Sequence, residues 1–347
     1  MLRNAGSRIT VVILTHNRAE RLRETLERLR ALPERPQIIV ADNASTDGTV
    51  CMADLSYPDV RIVQCGSNMG AAGRNCAVAH INTEYVAFCD DDTWWEPGSL
   101  AQAVRVLDAT PRVGVLNARI LVGAPGETDP TCLVMRHSPL DSRGLPGPSL
   151  VGYMAGASVF RTSLFRETGG YDARLFIGGE EELLALDVLA RGHAISYCDA
   201  LTVVHHPSPA RDSALRRRVL ARNAAWIAWL RLPVGEALIR TLHAFVAFRR
   251  ERTLLRDGWQ MLRGLEWAVR ERRRVPRHVL SMLREVRRHA RRQDFVSSSP
   301  GTSTLPSRTK ETTARRLADN GDIAASSAFF PRHLKNRVYQ CRRRDGL

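Results

Sequence analysis

Residues 9–14 form an apolar and β-branched run that gives way to the polar loop Thr15-His16-Asn17-Arg18, after which leucines recur at 22, 26 and 29. A short apolar run bounded by turn formers predicts a buried strand, and a spacing of three to four predicts an amphipathic helix. The alternation repeats. Residues 37–41 predict a second strand that ends in the turn formers Asp42-Asn43-Ala44-Ser45-Thr46-Asp47-Gly48, residues 60–64 a third and residues 85–89 a fourth. A helix opens across residues 66–73 and runs to His80. Strands alternating with helices in this way specify a parallel α/β sheet, because parallel neighbours need a crossover connection.

Beyond the fourth strand, residues 100–107 predict a helix, 113–121 a strand, 152–160 a strand and 180–191 a helix stopped by Gly192; residues 194–204 predict a strand that delivers His205-His206-Pro207. Residues 123–148, rich in Gly, Pro and Ser, read as a long loop beside the site. From 214 to 290 the pattern is helical, with Trp226, Trp229, Trp259 and Trp267 set among arginines, and Pro233 and Pro276 rule out a single straight rod. The expected division is a catalytic domain over residues 1–210, a basic helical region over 211–295 and a disordered tail over 296–347.

Charge sharpens that division. The chain of 347 residues carries a net +15, but residues 1–210 hold 19 basic against 24 acidic side chains, residues 211–295 hold 22 against 8, and residues 296–347 hold 10 against 4. The excess therefore sits behind the α/β part, where it offers an anionic membrane surface as a partner; nucleic acid is not expected. Seven cysteines without a CxxC pair argue for reduced thiols rather than a disulfide framework. No secretory core opens the chain and no run of about 18 apolar residues could span a bilayer. A cytoplasmic protein is expected, with peripheral attachment to the inner face of the membrane as its alternative placement.

The candidate chemistry lies after strands, where open parallel sheets bind ligands. Asp90, Asp91 and Asp92 crowd one strand end, and clustered carboxylates repel unless a cation holds them; hard oxygen ligands suit Mg²⁺ or Mn²⁺. Thr15, Asn17, Arg18, Asp42 and Asn43 present the amide, carboxylate and guanidinium groups that read a base and a ribose, although Asn and Asp are also ordinary turn residues. Asn68, Gly70 and Arg74 open a helix at which a phosphate could approach, but the spacing departs from GxGxxG, which disfavours a dinucleotide dehydrogenase. Glu180, Glu181 and Glu182 head a helix, either as dipole partners or with one of them a general base. His205 or His206 could join Asp92 on a metal, and adjacent strand side chains point to opposite faces, so one of the two is expected there.

In order along the chain, VVILTHNR at 11–18, IIVADNASTDGT at 38–49, CGSNMGAAGRN at 65–75, FCDDDTWWEP at 88–97 and GGYDARLFIGGEEELLALDVLARG at 169–192 resemble the family 2 glycosyltransferases. That resemblance implies a GT-A fold, a Rossmann-like mixed and mainly parallel sheet flanked by helices, here with a C-terminal basic helical extension. It further implies an inverting, Mn²⁺- or Mg²⁺-dependent hexosyl or deoxyhexosyl transfer from a nucleoside-diphosphate sugar, UDP- or dTDP-linked, to a glycan or lipid-linked acceptor in bacterial cell-surface glycoconjugate synthesis. Asp42 would meet the nucleobase, Asp90 and Asp92 would frame the metal and the sugar diphosphate, and His205 falls near a metal-binding histidine of the fold. The family usually carries Glu-Asp after the glycine, with the aspartate as base. Glu181 aligns with that position, and the Glu-for-Asp departure leaves Glu180 and Glu182 open. The rival readings are a nucleotidyltransferase, which lacks a Lys-containing triphosphate loop here, and a catalytically degenerate module that binds membrane or nucleic acid.

Overall fold

The apolar runs become the centre of one mixed sheet. The computed structural model describes residues 5–123, 126–207 and 213–298. Strands β1 (Ile9–Thr15), β2 (Gln37–Asp42), β3 (Arg61–Gln64) and β4 (Tyr85–Asp90) are mutually parallel in the order β3-β2-β1-β4. β1, β2 and β4 are buried at almost every position, as expected of a parallel sheet covered on both faces. Helices α1 (Ala19–Arg30), α2 (Thr49–Ser56), α3 (Gly73–Val78) and α4 (Ser99–Ala109) make the crossovers. Leu22, Leu26 and Leu29 of α1, the stripe visible in the sequence, are fully buried.

The sheet continues with strands of both directions. β5 (Thr93–Trp95), β6 (Val113–Val122), β9 (Ser158–Arg161) and β10 (Ala194–His205) extend the order as β4-β9-β6-β10-β5, with β9 antiparallel to both neighbours and β5 antiparallel to β10. The short strands β7 (Glu127–Thr128) and β8 (Ser149–Leu150) pair with β6 and β10. An edge-to-face cluster of Phe88, Phe160, Phe165 and Tyr171 fills the space behind β4 and β9, with the small helix α6 (Thr162–Glu167) contributing Phe165.

Two expectations change. Residues 123–148 are not loop throughout: α5 (Pro130–Arg136) begins at Asp129, whose side chain accepts the Thr131 N–H at 2.7 Å, with Pro130 in the first turn. Asp-Pro is a helix start, and the turn-forming composition around it hides the signal. The strand expected over 152–160 is confined to β9, because residues 155–157 close a 3₁₀ turn first. β5, for which the sequence pattern offers no signal, is three residues long and follows directly on the acidic run. The tail beyond Ser298 lies outside the described residues.

The change from sheet to helices falls between His205 and Ser213. α8 (Ser213–Arg231), α9 (Val234–Arg250) and α10 (Leu254–Arg270) pack together, and α11 (Arg277–Ser298) follows Pro276 and touches α7 (Glu180–Ala190). Trp226 anchors the bundle: its indole N–H donates to the Met261 carbonyl at 2.8 Å, and it meets Trp267 edge-on. Asn223 fastens the bundle to the sheet domain. Its buried amide donates to the carbonyls of Leu175 at 2.7 Å and Gly178 at 2.6 Å, immediately before α7. Asn223→Ala strands those carbonyls, so it should cost about 1–3 kcal/mol in denaturant unfolding. An unchanged midpoint would show that the bundle is not held there.

Candidate active site

Registry brings the polar strand ends together. Thr15 of β1 lies beside Asp42 of β2, and Leu14 beside Asp90 of β4. Arg18, at the start of α1, then reaches across to the acidic run and donates to Asp91 Oδ1 at 3.0 Å and Asp92 Oδ2 at 3.1 Å. Asp91 also accepts the Thr15 hydroxyl at 2.9 Å, and its backbone carbonyl accepts the Thr25 hydroxyl. Burial pushes its carboxyl up to about 6 against the pull of Arg18. Asp91, expected to face ligand, is thus sequestered with Thr15 as an internal brace.

Asp92 shares Arg18 through one oxygen and turns the other toward β10. β5 turns the chain back against β10, pairing Thr93 with His205, and this places His205 Nε2 3.6 Å from Asp92 Oδ1. The two histidines diverge as strand geometry requires: His206 points to Glu24 at 3.4 Å and sits edge-on to Trp94. Among the described residues no group of three or more His, Cys, Asp or Glu side chains converges to hold a metal. Asp92 and His205 supply one carboxylate oxygen and one imidazole nitrogen, a donor pair that fits Mn²⁺ or Mg²⁺ if diphosphate oxygens and water complete the shell.

The β1 and β2 loops are tied together by their own polar side chains, with one carboxylate oxygen of Asp42 left over. Asp42 is buried; one oxygen accepts the Ser45 N–H at 3.0 Å and the other has no hydrogen-bond partner. Asn17, in the left-handed region at φ 54°, accepts the Thr46 N–H at 2.7 Å and ties the two loops together. Asn43 is committed internally: it donates to the Gly70 carbonyl at 2.7 Å and accepts from Met69 N–H. Asn68 closes a local turn on Gly70 N–H at 3.0 Å. At Gly70 itself a Cβ would lie 1.9 Å from the Phe176 carbonyl oxygen, so only glycine lets this loop meet the segment before α7.

Arg74 is not a free phosphate ligand. It is buried, ion-paired with Asp90 and stacked over Tyr171 with 5.7 Å from its guanidinium carbon to the ring centre. Gly156 makes room for that pair, since a Cβ there would lie 2.6 Å from Asp90 Oδ2. Glu180 and Glu181 belong to the same cluster. Burial raises the carboxyl of each, with repulsion from Glu181 adding to the rise at Glu180 and Arg74 opposing it at both. Glu180 is buried and keeps an unpartnered Oε2; Glu181 is partly exposed and accepts the Ala155 N–H. Glu182 points elsewhere, into a buried ion pair with Arg240 of α9 at 2.9 Å.

Sequence reasoning did not find Tyr153, Tyr171, Gly156 or Arg240. Tyr153 and Tyr171 are buried and share a hydroxyl hydrogen bond of 3.1 Å that floors the Glu180–Glu181 cluster. No local pattern marks a tyrosine as a site wall, and Arg240 is one arginine among many in its helix.

This architecture is that of the GT-A glycosyltransferases. It is similar to S. aureus TarS in complex with UDP-GlcNAc over 83% of this chain and 88% of that one, with TM-score 0.54 and 18% identity. It is similar to a Pyrobaculum calidifontis mannosyltransferase in complex with GDP-Man and Mn²⁺ over 84% and 81%, with TM-score 0.51 and 19% identity. Residues 10–169, just under half of this chain, match the model of glycosyl transferase family 2. It is also similar to the N-acetylglucosaminyl-diphospho-decaprenol L-rhamnosyltransferase of Mycobacterium tuberculosis, 26% identical over 246 residues that span 59% of this chain and 79% of that protein.

Replacing Arg74 by Gln leaves Asp90, Glu180 and Glu181 without their cation, an expected loss of about 3 kcal/mol. Carboxyls raised in the folded state contribute stability at low pH that is lost as pH rises through those raised values. The deficit of Arg74→Gln against wild type should therefore be larger near about pH 8 than near about pH 5 in unfolding measured with chelator present. A deficit independent of pH would refute this account of the cluster.

Proposed function

We propose that this chain is a glycosyltransferase that moves a sugar from a nucleoside diphosphate to an acceptor hydroxyl with inversion at the anomeric carbon, and that Glu181 is the general base. The observation that carries the reading is the division of labour within Glu180-Glu181-Glu182. Glu182 is committed to Arg240 and Glu180 is buried, whereas Glu181 is partly exposed in a cleft that raises its proton affinity. A carboxylate so raised is better matched to accept a hydroxyl proton at neutral pH.

Asp92 and His205 would hold the divalent cation, which supplies positive charge to the leaving diphosphate. Asp42, with its unpartnered oxygen beside the Asn17–Thr46 tie, is the group offered to the nucleobase. Asp90, fixed by Arg74, faces the sugar end of the donor. Glu181 takes the acceptor proton, the acceptor oxygen bonds to the anomeric carbon, and the bond from that carbon to the diphosphate breaks with its electron pair leaving on the nucleotide. Arg74 acts from behind as a positioning residue for Asp90 and Glu181. The Mycobacterium tuberculosis relative, named for a diphospho-decaprenol acceptor and rhamnosyl transfer, supports a lipid-linked acceptor and a hexose or deoxyhexose donor sugar, which on this reading is carried on UDP or dTDP.

Glu181→Gln should lower kcat by roughly 10²–10⁴-fold with donor binding retained, while Glu182→Gln keeps turnover within a few-fold. Because the base must be deprotonated, kcat/KM should rise with pH up to the raised Glu181 value, so its acid limb lies above the ordinary glutamate range. Near-normal turnover in Glu181→Gln would overturn the assignment. Asp92→Asn should abolish the Mn²⁺-dependent part of nucleoside-diphosphate binding in calorimetry; binding unaffected by both the metal and the substitution would remove Asp92 from the donor site.

A further inference from the structure

α9 and α10 are apolar on two faces. Toward α8 they bury Ala237, Ala244, Phe248, Met261 and Ala268. Away from it, Leu238, Leu242 and Val246 recur along α9, and Leu255, Trp259 and Leu262 along α10, each between 41% and 88% exposed. Those spacings of three and four make a continuous stripe on each helix.

The two stripes share one side of the molecule. On α9 the residue facing α8 is Thr241, which accepts the Trp229 indole N–H, and the seam residue is Phe245. On α10, Met261 and Gly264 face Trp226 of α8, and Gly258 lies under Phe245 at the seam. Going round each helix from the α8 side, the seam comes next and the exposed stripe after it. The helices are joined by residues 251–253 and run antiparallel, so the same order on both carries the stripes to one face.

That face has a cationic rim. Arg249, Arg250, Arg252, Arg256 and Arg263 are exposed and make no ion pair among the described residues. The carboxylates of the same segment are already paired, Glu236, Glu251 and Asp257 with Arg287, Arg217 and Arg218 and the exposed Glu266 with Arg270 one turn on. An aliphatic and indole centre with a rim of unpaired arginines is the composition of a surface that rests in a lipid headgroup layer. We propose that the joint outer face of α9 and α10 docks on an anionic lipid bilayer, with Trp259 at the headgroup level and the arginines on lipid phosphates.

Charge disfavours the other occupants. A second copy would set one arginine rim against another, and residues 299–347, with 10 basic against 4 acidic side chains, would meet the rim with like charge. Nucleic acid would find leucines at the centre of its footprint. No helix among the described residues is long and apolar enough to cross a membrane, so the face lies on the bilayer.

The test is cosedimentation of the full chain with vesicles of phosphatidylglycerol mixed into phosphatidylcholine, against vesicles of phosphatidylcholine alone. Binding should need the anionic lipid, and a brominated lipid should quench an emission component that Trp259→Phe removes. Leu242→Ser combined with Leu255→Ser should lower partitioning by about tenfold or more, with circular dichroism unchanged; should that pair lose the fold, Trp259→Ser alone serves. Arg249→Gln with Arg263→Gln should weaken binding and flatten its salt dependence. The proposal is overturned if anionic vesicles do not bind, if the leucine pair binds them as wild type does, if the leucine changes abolish self-association without altering lipid binding, or if RNA is retained where vesicles are not.

Discussion

Bringing carboxylates together at a sheet edge is the constraint from which the rest of this molecule follows. Asp90 and Asp92 gather with Glu180 and Glu181 from two distant segments, Asp91 and Glu182 lie behind them, and a buried carboxylate left unpaired would cost several kcal/mol, of order 3–5 for a broken buried pair. The chain answers with one arginine per group: Arg18 for Asp91 and Asp92, Arg74 for Asp90, Arg240 for Glu182. These arginines come from α1, α3 and α9, so helices on separate stretches of sequence are required for a single cleft to be electrostatically tolerable. Glu180 and Glu181 are left incompletely offset, and that residual imbalance is what makes the cleft chemically distinctive.

A second consequence concerns the helical region. Arg240 and Asn223 both reach the segment that carries the acidic triplet, one through a side-chain ion pair and the other through backbone carbonyls. The basic helices are therefore part of the framework of the site, and their outward apolar face is a separate matter from their inward role. The arginines of this region divide accordingly: Arg231 and Arg240, turned inward, are matched by Asp187 and Glu182, whereas those at the rim make no ion pair among the described residues.

Much of the architecture was legible because it rests on local signals. Alternating apolar runs and turn formers marked β1 to β4, and the leucine stripe of α1 marked its buried side. β5 escaped because three residues carry no period, and α5 because its Asp-Pro start sits among turn formers. For the site, strand ends are readable positions, so Thr15, Asp42, Asp90 and Asp92 were placed at the correct edge. What each side chain does there depends on partners far along the chain. Asn43 turns inward to Gly70, Arg74 turns to Asp90 rather than to solvent, and which of His205 and His206 lies beside Asp92 is decided only through the pairing of β5 with β10. Pattern predicts where a residue lies; only tertiary contact decides what remains free to react.

The close approach of Gly70 to Phe176 has a kinetic side. The Ala71 N–H donates to the Phe176 carbonyl at 2.8 Å, with Phe176 itself in the left-handed region at φ 62°, and the contact joins the two halves of the cleft across a long stretch of chain. Closing a long loop costs little in stability, about 0.6 kcal/mol per doubling of its length, yet it delays the contacts that depend on it. The parallel block β3-β2-β1-β4 can form from sequence neighbours, whereas the cleft must wait for residues 170–205 to arrive. On this topology the sheet edge that ends in Thr15, Asp42 and Asp90 depends on near neighbours in sequence, whereas the Glu180–Glu181 wall depends on a distant segment, so a nascent chain can hold the edge before it holds the cleft.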